Sequence, residues 1–147
     1  MTHATITENK KARFDYEILE VLEVGIVLLG EEVKSVRAWN VNLKGSYVSL
    51  NNNSAVLIGA HIAQYPFGVR DFDPRRERRL LLKERERVAL ASKSREMGAT
   101  CVLLSVFTKW SLIKGELALV RGRKKWQKKQ LLKERDLDRE TSTMIRV

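Results

Sequence analysis

Between Asp15 and Gly122 the sequence returns again and again to short apolar runs, each broken by glycine, asparagine or a burst of charge. On apolar content alone the first of them, DYEILEVLEVGIVLLG, fits a strand or a short helix. Gly25 and Gly30 bracket IVLL and tip the reading to two strands. VNLKGSYVSL and AVLIGAHI flank NNNS, whose asparagines tolerate left-handed backbone angles, so these two runs form a β-hairpin. TCVLLSVFTKW and KGELALVRG supply two more strands, with TKWSLIKG as their connection.

Helical patterns interrupt the strands. EEVKSVRAW places Val33, Val36 and Trp39 at helical spacing, which predicts two or three turns laid on a core. LLLKERERVALASKSREMG sets Leu82, Val88 and Ala91 roughly on one face and stops at Gly98, and it is the longest helix expected before the tail. QYPFGVRDFDPRRERR, between hairpin and helix, reads as a long loop carrying function. Residues 1–13 have no apolar period and read as a flexible lead ending in a basic patch. With 147 residues the chain makes about one domain. Helices that cannot all be crossovers favour a mainly β fold, a small closed β-barrel flanked by helices, over a doubly wound sheet.

Charge narrows the function classes. The formal net charge is +10, and residues 121–147 hold ten of the 28 basic residues but only four of the 18 acidic ones. Such asymmetry calls for a polyanionic partner, nucleic acid first and an acidic membrane surface second. The one cysteine, Cys101, lies in an apolar run, which predicts a buried thiol and fits a reducing compartment. No apolar run approaches the ~18 residues of a membrane span, and MTHATITENKKAR lacks the hydrophobic segment of a signal peptide. The expectation is a cytoplasmic chain without a membrane partner.

Catalytic chemistry is thinly supplied. His3 lies in the lead, and His61 has no His, Cys or carboxylate at ligand spacing. Glu31 and Glu32 are adjacent and so point apart, which disfavours a paired acid and base. Asp71 and Asp73 share a face of an extended loop and offer either a cation site or charge balance for the five arginines between 70 and 79. No phosphate-cradling glycine loop or nucleophile elbow is present. The reading is a non-enzyme without metal or cofactor. Binding chemistry is richer: basic patches at 9–13, at 70–79 and in the tail interleave with Tyr65, Phe67, Phe72 and Trp126. Cations on phosphates and aromatic planes on unstacked bases are the combination that holds RNA.

Longer phrases are more specific. NKKARFDYEILEVLEVGIVLLGEEVKSVRAWNVNLKGSYV, DPRRERRLLLKERE, KGELALVRGRKK and KERD at 133–136 follow in order across about residues 9–136. Together they resemble the SmpB family, the SsrA-binding proteins of trans-translation. The resemblance implies a six-stranded antiparallel barrel of oligonucleotide-binding (OB) type with about three helices over residues 1–125. It also implies a basic tail at 126–147, disordered when free and helical on the ribosome. Such proteins bind the tRNA-like domain of transfer-messenger RNA (tmRNA, SsrA RNA) and deliver it to ribosomes stalled on non-stop messages. Their tail enters the vacant mRNA channel beyond the small-subunit decoding centre, so that the nascent peptide is tagged and the ribosome rescued. EF-Tu and alanyl-tRNA synthetase act on the same RNA.

Carried across residue by residue, the resemblance implies RNA contacts at Asn9, Lys10, Lys11, Arg13, Glu23, Lys34, Arg37, Leu81, Lys114, Gly122, Arg123 and Lys124. It implies ribosome contacts by Trp126, Gln127, Lys128, Lys129, Lys133 and Arg135. Glu23 cannot neutralise phosphate; it accepts from a base edge or 2′-hydroxyl, or it orients a basic neighbour. Three consecutive leucines cannot all face inward on a helix, which leaves one of the group around Leu81 free to pack on RNA or on the lead. Trp126 stands where the family has His or Tyr, Gln127 where it has Asp, Lys129 where it has Arg and Phe14 where it usually has His. Indole keeps a stacking face, whereas Lys129 turns a bidentate fork into a point charge.

Overall fold

A computed structural model describes residues 4–51, 53–68, 72–123 and 125–145, with the side chains at 125–126 and 138–145 outside that description. In chain order the elements are β1 (Ala4–Glu8), α1 (Lys10–Asp15), β2 (Tyr16–Ile26), α2 (Gly30–Arg37), β3 (Val41–Asn42), β4 (Tyr47–Leu50) and β5 (Ala55–Ile58). There follow β6 (His61–Ile62), β7 (Arg78–Leu81), α3 (Glu84–Met97), β8 (Thr100–Lys109), β9 (Leu112–Gly122) and α4 (Lys125–Ile145). The fold is mainly β.

The strands are joined as a ring. Pairing runs β8–β4–β5–β7–β2–β9 and returns from β9 to β8, all antiparallel, while β1 adds to β8 from outside and β3 pairs with β6 separately. Val24, Val48, Leu57, Leu80, Leu103, Leu117 and Leu119 point into the ring and are almost wholly buried. The uninterrupted TCVLLSVF follows from this position, because Cys101 through Phe107 are all buried. One face of β8 fills the ring, and the other carries Val102 and Leu104 into a second cluster with Ala118 and Val120, roofed by Ala12 of α1. A strand covered on both sides loses the alternation of a half-exposed one. Burial pushes the Cys101 thiol up to about 11, as expected for a core cysteine.

Several expectations are corrected. The flexible lead is, from Ala4 to Glu8, a strand whose partners run from Thr108 to Ser105. β4 meets β8 only at Cys101, so the rest of that edge has backbone groups to satisfy, and β1 satisfies them. YEILEVLEVGI is one strand, and VLL after it adds no second: Gly25 lies within β2, where a Cβ would come within 3.3 Å of Leu81 Cβ, and Gly30 opens α2. The leucine triplet begins no helix. Leu80 and Leu81 belong to β7, with Leu80 inward and Leu81 55% exposed, and α3 starts only at Glu84. Consequently the buried members of α3 are Arg87 and Leu90, not Val88. Trp39 is exposed rather than packed. The long connection through TKWSLIKG shrinks to Trp110–Ser111, because Lys109 already pairs with Leu112. Gly98 does end α3, in the left-handed region at φ +60°. The tail adds a fourth helix, α4, built mostly of strong helix formers.

One charged cluster inside the fold had no visible signal. Glu32, in the first turn of α2, is fully buried. Its Oε1 accepts from the Leu29 N–H at 2.9 Å and from Arg76, and its Oε2 accepts from Arg78 Nε at 2.7 Å. Arg78, equally buried, spends its other nitrogens on the carbonyls of Ala60 (2.8 Å) and Pro74 (3.1 Å). Burial by itself would raise the Glu32 pKa, but the bonds from Arg76, the Leu29 N–H and Arg78 outweigh it and hold the carboxyl below its ordinary value.

Glu32→Ala should therefore cost about 3–5 kcal/mol in urea unfolding, because Arg78 is left buried and unpaired, while Glu32→Leu with Arg78→Met should cost less. Since the folded-state pKa is depressed, the Glu32 contribution is complete above the ordinary carboxyl range and lost as pH falls through the folded value. Urea midpoints taken along an acid series should drop more steeply for the native chain than for the double variant.

Candidate nucleic-acid interface

The residues expected to touch RNA can be placed by register. Antiparallel partners share a face, so Glu23 lies beside Glu116, and Gly25 beside both Lys114 and Leu81. Glu23 is bracketed by two lysines, Lys114 Nζ at 3.0 Å and Lys109 Nζ at 3.3 Å. The hydrogen bond from Lys114 holds its carboxyl below the usual value, against burial and with help from Lys109. These pairs suit one of the two roles open to Glu23, the orienting of basic neighbours. Lys109 itself was missed, since only the β2–β9–β8 register reveals that it meets Glu23.

One step along the same face, Glu116 accepts from Ser105 Oγ at 3.2 Å and pairs with Arg13 at 3.6 Å. This brings in α1. Lys10 is exposed at its start, and Lys11 pairs with Asp15 at 2.9 Å. Asp15 also receives Lys128 of α4 at 3.3 Å, and its carbonyl accepts the Arg123 N–H at 2.9 Å. The Lys11 hydrogen bond, opposed by burial and helped by Lys128, keeps the Asp15 carboxyl below its ordinary range. Gly122, exposed, pairs with Tyr16 at the end of β9, so Arg13, Gly122, Arg123 and Lys128 share one neighbourhood.

The other end of the strip is α2. Arg37 donates from Nη2 to the Ser111 carbonyl at 2.8 Å, tying α2 to the β8–β9 turn. Lys34, a turn earlier, lies over the Tyr65 ring at 4.9 Å, and Phe67 meets Tyr65 edge-on at 5.7 Å. The strip therefore runs from α1 across β9 and its turn to α2, with Leu81 at its margin beside Gly25.

Asn9 does not belong to it. Its side chain is 3% exposed, caps α1 by accepting from Ala12 N at 3.1 Å, and donates to the carbonyls of Leu103 (3.2 Å) and Leu43 (3.3 Å). The amide pins α1 to the core. Lys124 and the Trp126 side chain lie outside the described residues. Lys129, Lys133 and Arg135 are exposed on α4, with Gln127 and Lys128 half-buried near its start.

A family model described as SmpB protein matches residues 6–147. The chain belongs to the SmpB family. An SsrA-binding protein of Oleidesulfovibrio alaskensis is 46% identical over 143 residues, covering 97% of this chain and 92% of the relative. One from Staphylococcus saprophyticus is 44% identical over 139 residues, covering 94% and 90%. A solved chain described as "tmRNA-SmpB: a journey to the center of the bacterial ribosome" superposes with a TM-score of 0.68 at 41% identity, covering 83% of this chain and 87% of that one.

Among the described residues of this SmpB chain no group of three His, Cys, Asp or Glu is placed to hold a metal ion. Asp71 lies outside the described residues, and Asp73 turns its carboxylate to the Arg75 N–H at 2.9 Å. No helix among the described residues is long and apolar enough to cross a membrane.

Two substitutions separate scaffold from contact. Asn9→Ala should lower stability by about 1–2 kcal/mol, read by urea unfolding, and leave the salt slope of RNA binding unchanged. Lys10→Ala should leave stability unchanged and flatten that slope by about 1 unit.

Proposed function

We propose that this chain is a non-enzymatic RNA-binding adaptor of trans-translation. It grips the tRNA-like domain of tmRNA, carries it to ribosomes stalled on messages without a stop codon, and probes the vacant mRNA channel with its tail. The strip from α1 to α2 is the observation that carries this reading. Lys11 and Arg13 of α1, Lys109 and Lys114 of the β8–β9 hairpin and Lys34 and Arg37 of α2 follow one another along the strip. Asp15, Glu23 and Glu116 orient Lys11, Lys109, Lys114 and Arg13, the Ser111 carbonyl fixes Arg37, and Lys34 lies over Tyr65. A folded RNA presents phosphates in a fixed array, and lysines held in place meet it at lower entropic cost than free ones. The SsrA-binding relatives and the tmRNA-SmpB chain support the choice of RNA.

Within this reading, residues 1–125 form the RNA-gripping unit, and the return of β9 to β8 supports a closed barrel of OB type. Residues 126–147 are the ribosome probe. Leu132 and Leu137 of α4 are 45% and 61% exposed, so the helix gains little from burial and is marginal without a partner. In the free chain it frays, and the channel completes it. Lys128, Lys129, Lys133 and Arg135 then face ribosomal RNA, and Trp126 and Gln127 meet the decoding centre. EF-Tu and alanyl-tRNA synthetase share the same RNA with the chain, and the cytoplasm is the compartment in which they meet.

The test compares affinity for the tmRNA tRNA-like domain with that for bulk tRNA at two salt concentrations. A clear preference for the former is expected, with log affinity falling by ~0.7–0.9 per phosphate neutralised for each log unit of salt. Equal affinity would mark a general RNA chaperone instead. Removing residues 126–147 should spare RNA binding and abolish peptide tagging on stalled ribosomes.

A further inference from the structure

We propose that Trp39 and Trp110 form a stacking platform for an unpaired nucleobase, set beside Arg37 and Lys109 at one end of the basic strip. The inference rests on the RNA-binding reading above and adds a second mode of contact to it. Two independent features single these indoles out. First, they are 74% and 73% exposed, while Leu, Val, Ile and Ala side chains fill the β ring. Second, both occupy left-handed backbone, Trp39 at φ +65° and Trp110 at φ +60°, and they are the only non-glycine residues among those described to do so.

Neither position asks for a bulky side chain. Trp39 follows the C-cap of α2, where its N–H reaches the Val36 carbonyl at 2.9 Å and the Asn40 N–H reaches Ser35 at 2.9 Å. This is the site at which helices ordinarily place glycine or asparagine. Trp110 is the first residue of the two-residue turn between β8 and β9, where glycine or asparagine again relieves the backbone. An L side chain other than asparagine held at positive φ costs backbone energy at both places. Backbone strain of this kind gathers where a ligand is bound.

The two turns are brought together by the bond from Arg37 Nη2 to the Ser111 carbonyl, at 2.8 Å. Trp39 is two residues beyond Arg37, and Trp110 immediately precedes Ser111. The neighbouring charge is positive: Arg37, and Lys109 with its Glu23 partner at 3.3 Å. Aromatic faces next to fixed cations suit a nucleotide, with the base on the indole and the phosphate on the guanidinium. A fully paired duplex offers no free base face, so the occupant is an unstacked base of a loop or bulge.

Trp39→Asn and Trp110→Asn test this without threatening the fold, since asparagine tolerates the left-handed region. Thermal midpoints should stay level or rise. Affinity for the tRNA-like domain of tmRNA should fall roughly 5-fold or more per substitution, with the salt slope unchanged because no ion pair is removed. Phenylalanine at the same positions should restore part of the loss. In the full-length chain with Trp126→Phe, which silences the third indole, that RNA should quench the remaining fluorescence and a blunt RNA duplex should not. Undiminished affinity in the double asparagine variant, with the native chain binding normally, would overturn the platform and leave the RNA reading standing. Undiminished RNA affinity with weakened ribosome association would overturn it too, in favour of a protein occupant. If the native chain itself failed to bind the RNA, both readings would fall together.

Discussion

A carboxylate shut away from water must be answered by positive charge and hydrogen bonds, and the answer given to Glu32 organises half the molecule. Arg78 reaches it from β7, Arg76 from the segment just before, and the Leu29 N–H from the entry to α2. The same guanidinium holds the backbone at Ala60 and Pro74. Helix, strand and loop are thereby fixed to one buried point. Replacing the cluster by apolar side chains could give comparable stability, but apolar contacts tolerate sliding, whereas a guanidinium fork on a carboxylate does not. Because Lys34 and Arg37 ride on α2, the position of the cations proposed to meet RNA is set by a buried ion pair beneath them.

On the outside the same chemistry is used in a looser form. Asp15, Glu23 and Glu116 lie within a basic face and each is shared between cations or between a cation and a hydroxyl. Exposed pairs like these add little to stability. Their effect is on the lysines, which would otherwise sample many rotamers, and on net charge, which they temper without erasing. A basic surface with no acids would bind any polyanion, and one with acids at fixed places repels phosphates that arrive in the wrong array.

Much of the fold was legible where the pattern is local. TCVLLSVF and KGELALVRG are strands, NNNS joins two more, and Gly98 stops its helix, because strand length, turn chemistry and left-handed caps are written in adjacent residues. What stayed hidden was written in distant ones. Asn9 sits in a run of basic residues and reads as part of it; its partners Leu43 and Leu103 are 34 and 94 positions away. The triplet Leu80–Leu82 suits a helix as well as a strand until β5 and β2 are known to flank it. Glu32 looks like one of two surface glutamates, since nothing beside it announces Arg78. The basic residues of the proposed site stand in family phrases, whereas the pairing of Lys109 with Glu23 appears only in the register and the strain at Trp39 and Trp110 only in the backbone angles.

The place of β8 in the chain bears on how the protein is made. That strand pairs with β1, β4 and β9, so it borders the oldest part of the chain, the middle and the newest. Synthesis delivers β2 through β7 first, and they wait with open edges until Thr100–Gly122 has emerged to join them. A message cut short in its final third would yield a chain without a finished ring, left sticky and prone to degradation. A factor that attends interrupted translation thus depends, for its own folding, on a translation that is nearly complete.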